Sequence, residues 1–383
     1  MQSAVVVLEQ RVVSALKVLT LNRPAKLNAL DLEMVRLVAG HFGKLCLERC
    51  CVALVMRGEG KAFCAGGDVA AVRVDGLEGG RLALDFFAEE YALNGMIGRF
   101  GSKDSRIKQI SLWDGIVMGG GVGLSAHGRF RVATEKAVLA MPETQIGLFP
   151  DVGASYLLQK MPRYTGVYAG LTGDRLDAAD LLYSGLATHF VPSARIPALM
   201  DSLESLPPNV DDPLAFDDDV HRAIEQVATS APGKKSKLMR HADAIETAFS
   251  QPTVESILAK LREKQQAEAT FEQDAIAMLN NMSPTSLKVT LESIRRARHD
   301  NDLFKTLKSD FRVASRMTDH SFSSPPPDFF EGIRALLVDK DKNPQWRHTS
   351  LQDVSPNDVD AFFQPFSDEK KALLKDLDFN SRE

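Results

Sequence analysis

Two acidic residues, Glu143 and Asp151, flank an apolar stretch, Ile146-Gly147-Leu148-Phe149-Pro150. A carboxylate in such surroundings sheds hydration and, once ionised, becomes a stronger base or nucleophile. Asp151 has a second reading as the N-cap of the helix that follows with Tyr156 and Leu157, and spacing alone favours it. Two glycine-marked loops lie upstream, Lys61-Ala62-Phe63-Cys64-Ala65-Gly66-Gly67-Asp68 and Met118-Gly119-Gly120-Gly121-Val122-Gly123. Glycines let main-chain N–H groups approach a ligand with no Cβ in the way. Two such loops could aim two donors at one oxygen, as an oxyanion hole requires. The triplet Gly119–Gly121 taken alone reads equally well as a tight turn with close helix packing.

Other chemistries fit less well. The triplet lacks the third glycine or alanine of a dinucleotide fingerprint. The looser match Gly121-x-Gly123-x-x-Ala126 does not occupy the first strand–helix turn of the chain, and no GxxxxGK[ST] phosphate loop is present. Gly123-Leu124-Ser125-Ala126-His127 resembles a nucleophile elbow, but His127 stands where the final glycine belongs. Ser125 and His127, two apart, would face different sides of a helix. His41 and His189 stand without a partner at ligand spacing. Cys46, Cys50, Cys51 and Cys64 lack the second ligand pair of a metal site and are expected to act as small buried hydrophobes in a reducing compartment. No metal ligand set and no cofactor emerge.

The elements that must position these loops can be read from periodicity. Val5–Glu9 and Leu16–Thr20 read as paired strands around Arg11–Ser14. Asp31 caps a helix whose apolar stripe is Leu32, Val35, Val38, Phe42 and Leu45. Strands follow at Cys51–Met56, Ile107–Leu112, Arg129–Ala133 and Ala137–Ala140, with helices after Asp151, at Thr165–Leu171 and at Ala178–Tyr183. Strands alternating with helices indicate an α/β domain with largely parallel pairing, and ligands of such sheets sit in loops at strand ends. The character changes near Pro207-Pro208, after which the chain reads as helical.

The 383 residues carry 46 Lys+Arg against 51 Asp+Glu, a net charge of -5, with 44% hydrophobic, 25% charged and 7% aromatic residues. That balance excludes a disordered chain and a staple-dependent small scaffold. It gives no electrostatic footprint for nucleic acid or an anionic membrane. The short basic clusters Lys234–Lys237 and Arg295–Arg298 read as solvated faces. No apolar run reaches the roughly 18 residues a membrane span needs. The chain begins directly with a strand pattern, so no signal or transit peptide is evident.

Several stretches together resemble the enoyl-CoA hydratase/isomerase (crotonase) superfamily, and within it the thioester-hydrolase branch that acts on 3-hydroxyisobutyryl-CoA. They are Leu21-Asn22-Arg23-Pro24 with Asn28-Ala29-Leu30, Lys61–Asp68, Glu89-Glu90-Tyr91 and Met118–Asp151. Met282-Ser283-Pro284-Thr285-Ser286, Glu331-Gly332-Ile333-Arg334-Ala335, Asp339-Lys340 and Trp346 follow. The resemblance implies a ββα spiral core over residues 1–200 that binds acyl-CoA, and a helical region over 201–383 that completes the CoA site. It implies that the N–H groups of Gly67 and Gly120 hold the thioester oxygen, each donor worth roughly 10²–10³ in rate. It places Ala62, Cys64, Ala65, Gly66 and Asp68 along the CoA adenine, Lys26 near a phosphate, and Glu90 against the substrate.

In hydratases a second glutamate follows the glycine triplet by two residues; here that position is Gly123, and only Glu143 remains of the pair. Asp151 stands where hydratases carry a small residue, which matches the hydrolase branch and suggests a contact to the acyl β-hydroxyl. The implied activity is hydrolysis of a short 3-hydroxyacyl-CoA in mitochondrial valine breakdown, with CoA entering only as part of the substrate. Hydration or isomerisation within the same family is the nearest alternative; a non-catalytic place in a mitochondrial ribosome, known for relatives, is the more distant one. An oligomer is compatible with the family. Two departures are the longer segment Arg99–Lys108 and Phe330, which stands where the branch typically has histidine.

Overall fold

The computed structural model describes residues 5–10, 14–208, 210–230, 233–264 and 271–366. They group into two compact units with interleaved segments. The first comprises Met1–Gly67, Leu93–Leu139 and Leu176–Lys237, the second Asp68–Ala92, Ala140–Arg175 and Leu238–Glu383.

The strands, in chain order, are β1 (Val6–Gln10), β2 (Leu16–Leu21), β3 (Val52–Gly58), β4 (Ala62–Cys64), β5 (Ile107–Trp113), β6 (Ile116–Met118), β7 (Phe130–Ala133), β8 (Val138–Ala140), β9 (Leu176–Asp177) and β10 (His189–Phe190). One sheet has the order β1-β2-β3-β5-β7-β10, the other β4-β6-β8-β9. Within the first sheet only β1/β2 is antiparallel. Successive strand pairs, β3 then β4, β5 then β6, β7 then β8, each leave one strand in either sheet. This is the ββα spiral, and it makes β4 and β6 parallel neighbours in register Ala62↔Ile116.

The physical reason for the first sheet lies in its runs. Leu-Lys-Val-Leu-Thr-Leu in β2 and Ile-Lys-Gln-Ile-Ser-Leu-Trp in β5 are buried throughout, as strands covered on both faces must be. Ala53, Val55, Ile110, Leu112, Phe130 and Val132 form a core with Leu199, Leu203, Phe216, Val220 and Ile224 of the helices Ile196–Glu204 and Pro213–Glu225. The Asp217 carboxylate this burial entails is paired, whereas Gln109 Oε1 and Trp113 Nε1 of β5 have no partner among the described residues. Lys108, 0% exposed, lies 3.5 Å from Asp217, and Arg129 holds that carboxylate through two bonds of 2.9 Å. A buried carboxylate left without such partners would cost several kcal/mol.

The second unit is mainly helical. The helix Leu303–Met317 buries Leu303, Leu307, Phe311, Ala314 and Met317 along one stripe and packs against Pro284–Asp300. Ser283 and Asp302 cap these helices by accepting N–H groups of the first turn. The helix Leu82–Arg99, which starts in this unit, carries Glu90 and Tyr91.

Most segments expected from periodicity are present, including the helix Leu32–Leu45 with Asp31 accepting from Met34 N at 2.9 Å. β1 and β2 pair as expected, and they do so antiparallel; residues 11–13 of the connection lie outside the described residues. Helices Val69–Leu77 and Leu82–Arg99 were not legible. Phe330, at the departure from the family pattern, is buried with its ring edge-on to His320. Among the described residues no helix is long and apolar enough to cross a membrane.

Candidate active site

In the first unit, the ends of β4 and β6 run side by side into the two glycine loops. Gly120 opens the short helix Gly120–Gly123, so its N–H is one of the four without an intrahelical acceptor. Gly66 lies against this turn, a Cβ there falling 3.9 Å from Gly120 N. Gly121 must be glycine, because its Cβ would lie 2.5 Å from the Cys64 carbonyl oxygen. The triplet therefore packs a helix closely, as one of its two readings expects, and Gly120 keeps an N–H with no intrahelical acceptor.

The Asn22–Leu30 motif braces the neighbouring loop. Asn28, fully buried, donates through Nδ2 to the carbonyls of Glu59 (3.0 Å) and Ala62 (2.8 Å), and its Oδ1 accepts Arg23 N at 2.8 Å. Leu30 N donates to Gly66 O at 2.8 Å, and Ala65 N to Leu27 O at 3.0 Å. Ala62, Cys64, Ala65, Gly66 and Gly67 are thus held in one braced turn, with Asp68 following ahead of the helix Val69–Leu77. Lys26 ends a single exposed turn, Pro24–Lys26, beside this brace.

The second unit gathers the carboxylates. Glu143 begins the turn Glu143–Ile146 and is 6% exposed, with Oε2 accepting no hydrogen bond among the described residues. Burial raises its pKa well above the usual carboxylate range, and the charge of Asp151 adds to the shift. Asp151 is buried and accepts the Tyr91 hydroxyl on Oδ2 at 2.5 Å. Burial pushes its pKa up to about 6, against the pull of the Tyr91 bond. Glu90, 2% exposed with Oε1 unpartnered, is raised well above its ordinary value by burial and by the charges of Asp151 and Glu143. These three acids therefore lie within electrostatic reach of one another in a dry setting.

The connection between Glu143 and Asp151 is fixed by the later motifs. Gly147 has φ 72°, and a Cβ there would sit 2.2 Å from the carbonyl carbon of Asp328. Asp328 in turn accepts from Ser283 Oγ at 2.5 Å and from Arg347 N at 2.7 Å. Ser283 N donates to Thr144 O at 3.1 Å. The Ser283 and Asp328–Glu331 stretches are thus the clamp on the Glu143 turn.

Several expectations are corrected. Asp151 is not the cap of the next helix: Ala154–Leu158 starts from Gly153 without a side-chain cap, and the Asp151 carboxylate is bound by Tyr91 instead. The nucleophile elbow, already disfavoured by His127 in the glycine position, is absent as expected: Ser125 is buried and gives its hydroxyl to Gly121 O at 2.6 Å. Cys51 and Cys64 are buried as expected, but Cys46 is exposed. His189 does not stand alone, since His221 and Glu225 lie beside it.

One residue of this cluster escaped the sequence reading. Asp310, 1% exposed, accepts Gly153 N at 2.8 Å and fixes the consecutive left-handed residues Val152 (φ 53°) and Gly153 (φ 74°) directly after Asp151. Burial holds its pKa well above the carboxylate range. Its signal was available: an acid set on the apolar stripe of Leu303–Met317, between Leu307 and Phe311.

The chain matches the enoyl-CoA hydratase/isomerase family over residues 16–363. It is 42% identical to 3-hydroxyisobutyryl-CoA hydrolase 1 of Arabidopsis thaliana, over 95% of this chain and 92% of the relative. It is 40% identical to the mitochondrial 3-hydroxyisobutyryl-CoA hydrolase of Xenopus tropicalis, over 90% and 86%. Among solved structures, a carnitinyl-CoA dehydratase from Mycobacterium thermoresistibile superposes with TM-score 0.84 at 34% identity, covering 99% of this chain and 100% of that one. An enoyl-CoA hydratase from Rhodobacter sphaeroides gives 0.78 at 33%, covering 94% and 98%.

Proposed function

The chain belongs to the enoyl-CoA hydratase/isomerase family, and from that premise we propose that it hydrolyses 3-hydroxyisobutyryl-CoA, or a similar short 3-hydroxyacyl-CoA, to the free acid and CoA. The curated relatives at about 40% identity over most of the chain carry the hydrolase name. The observation that favours hydrolysis over hydration is the state of two positions. Glu143 is a buried carboxylate with an unpartnered oxygen, and position 123 is a buried glycine with no side chain to steer water onto an alkene.

The roles follow residue by residue. Gly67 and Gly120 are assigned the thioester carbonyl oxygen, whose negative charge grows as the carbon becomes tetrahedral; donors aimed there act most strongly in the transition state. Glu143, once ionised, supplies electrons in one of two ways. Either its oxygen bonds to the carbonyl carbon and the C–S bond breaks toward CoA thiolate, leaving an anhydride for water to cleave, or it takes the proton of the attacking water. Both consume one water and return Glu143 unchanged. Asp151, oriented by Tyr91, is assigned the β-hydroxyl of the acyl group; a site built to bond a hydroxyl rejects analogues that lack it. Glu90 is assigned to the substrate side as well. Ala62, Cys64, Ala65, Gly66 and Asp68 are proposed along the CoA adenine, and Lys26, exposed beside them, near a phosphate.

The relatives from Xenopus tropicalis and rat are named as mitochondrial enzymes, which supports a mitochondrial location, and we place the reaction in the matrix as a step of valine breakdown. The deciding experiment incubates the protein with 3-hydroxyisobutyryl-CoA and follows free thiol. Release is expected from the wild type and its loss from Glu143→Gln. Disappearance of crotonyl-CoA absorbance without thiol release would instead assign a hydratase.

A further inference from the structure

We propose that His189, His221 and Glu225 form a binding site for one divalent transition-metal cation of the zinc class. All three belong to the first unit. His221 and Glu225 are one turn apart on the helix Pro213–Glu225 and so share a face. His189 comes from β10, the edge strand of the six-stranded sheet. One ligand atom from each lies within 4.8 Å of the others. Two imidazoles and a carboxylate are an ordinary zinc donor set, with the fourth position left to water.

The His189 ring is held from both sides. Its Nδ1 lies 2.8 Å from the Thr188 hydroxyl, and its Nε2 faces Glu225 Oε1 at 3.2 Å. Nε2 is thus turned toward the Glu225 carboxylate, the group that would share the ion. A partner that orients the ring through its other nitrogen is also what ligating histidines have.

The surroundings include opposing charge. Arg129 is engaged by Asp217, and Arg131 donates to the carbonyls of Gly128, Gly185 and Leu186; both weaken a cation at His189. His221 and Glu225 are exposed, and closing on an ion would draw the ligand atoms to the roughly 3.4 Å separations of tetrahedral zinc. The bound ion would clip the edge strand β10 to the helix Pro213–Glu225.

The test uses the full chain without an affinity tag, stripped with chelator and titrated with zinc by calorimetry and thermal melting. One equivalent should bind and raise the melting temperature, while magnesium, which avoids nitrogen ligands, should not. His221→Ala and Glu225→Gln should each weaken zinc by at least about tenfold. Cobalt should give a visible absorption band that both variants lose. No zinc uptake by the wild type at tenfold excess overturns the proposal. Equal uptake by wild type and His221→Ala, which would point to the cysteines, overturns it as well.

Discussion

The Tyr91 hydroxyl donates to Asp151 Oδ2 at 2.5 Å inside a region that excludes water from both. One helix thus supplies the group that orients Asp151 and, at the adjacent position, the acid Glu90, whose Oε1 accepts no hydrogen bond among the described residues. Removing the hydroxyl with Tyr91→Phe leaves Oδ2 unsatisfied, at a cost of about 1–3 kcal/mol. It also removes the one side-chain bond that lowers the Asp151 pKa. The acid limb of the pH–rate profile should move to higher pH, and the preference for 3-hydroxyacyl-CoA over plain acyl-CoA should fall. Thiol-release rates on both substrates across pH measure this; an unmoved limb would separate Tyr91 from the reaction.

Asp151→Asn should stabilise the protein at neutral pH while abolishing hydroxyacyl selectivity. The folded carboxyl titrates at about 6, above an unfolded aspartate near ~3.9. Its favourable contribution is therefore complete below the unfolded value and is lost as pH rises through the folded one. The gap of about two units corresponds to something on the order of 3 kcal/mol. Denaturant melts should show the variant ahead near neutrality and the advantage gone at about pH 4.

Gly147→Ala should unsettle the Glu143 turn. The position combines φ 72° with a Cβ site 2.2 Å from the Asp328 backbone. Left-handed strain alone costs about 1–3 kcal/mol, and the clash adds to it. A lowered melting temperature with a fall in kcat exceeding any change in KM is expected from thermal melts and thiol-release kinetics.

Asn28→Ala removes three hydrogen bonds, one of them fully buried, from the brace under the loop 62–67. Leaving those backbone groups unpaired should cost about 2–4 kcal/mol. Because the brace holds the segment assigned to CoA, KM for the CoA ester should rise, as a substrate titration would show.

The sequence was most legible where one residue type has a single physical use. Asp31 followed by an apolar 3.6 period could be little other than a capped helix, and it is one. The glycine triplet marked a close backbone approach that the structure contains at Gly121. Asp151 was misread from spacing because an acid before a helix is the common form of a cap, and nothing local reveals a tyrosine sixty residues upstream. The helix Leu82–Arg99 was missed because its apolar residues do not form one clean stripe; Phe86, Phe87, Ala88, Glu90, Tyr91 and Leu93 are all buried. Asp310 and the His189 group depend on residues far apart in the chain, which periodicity cannot join.

The bond from Gly153 to Asp310 spans 157 residues. During synthesis the segment holding Asp151 emerges long before its anchor does. A nascent chain would own every acid of the cluster except the one that fixes the turn until Asp310 had been made. The shape of the turn after Asp151 thus settles late, through a residue remote from the acids it serves.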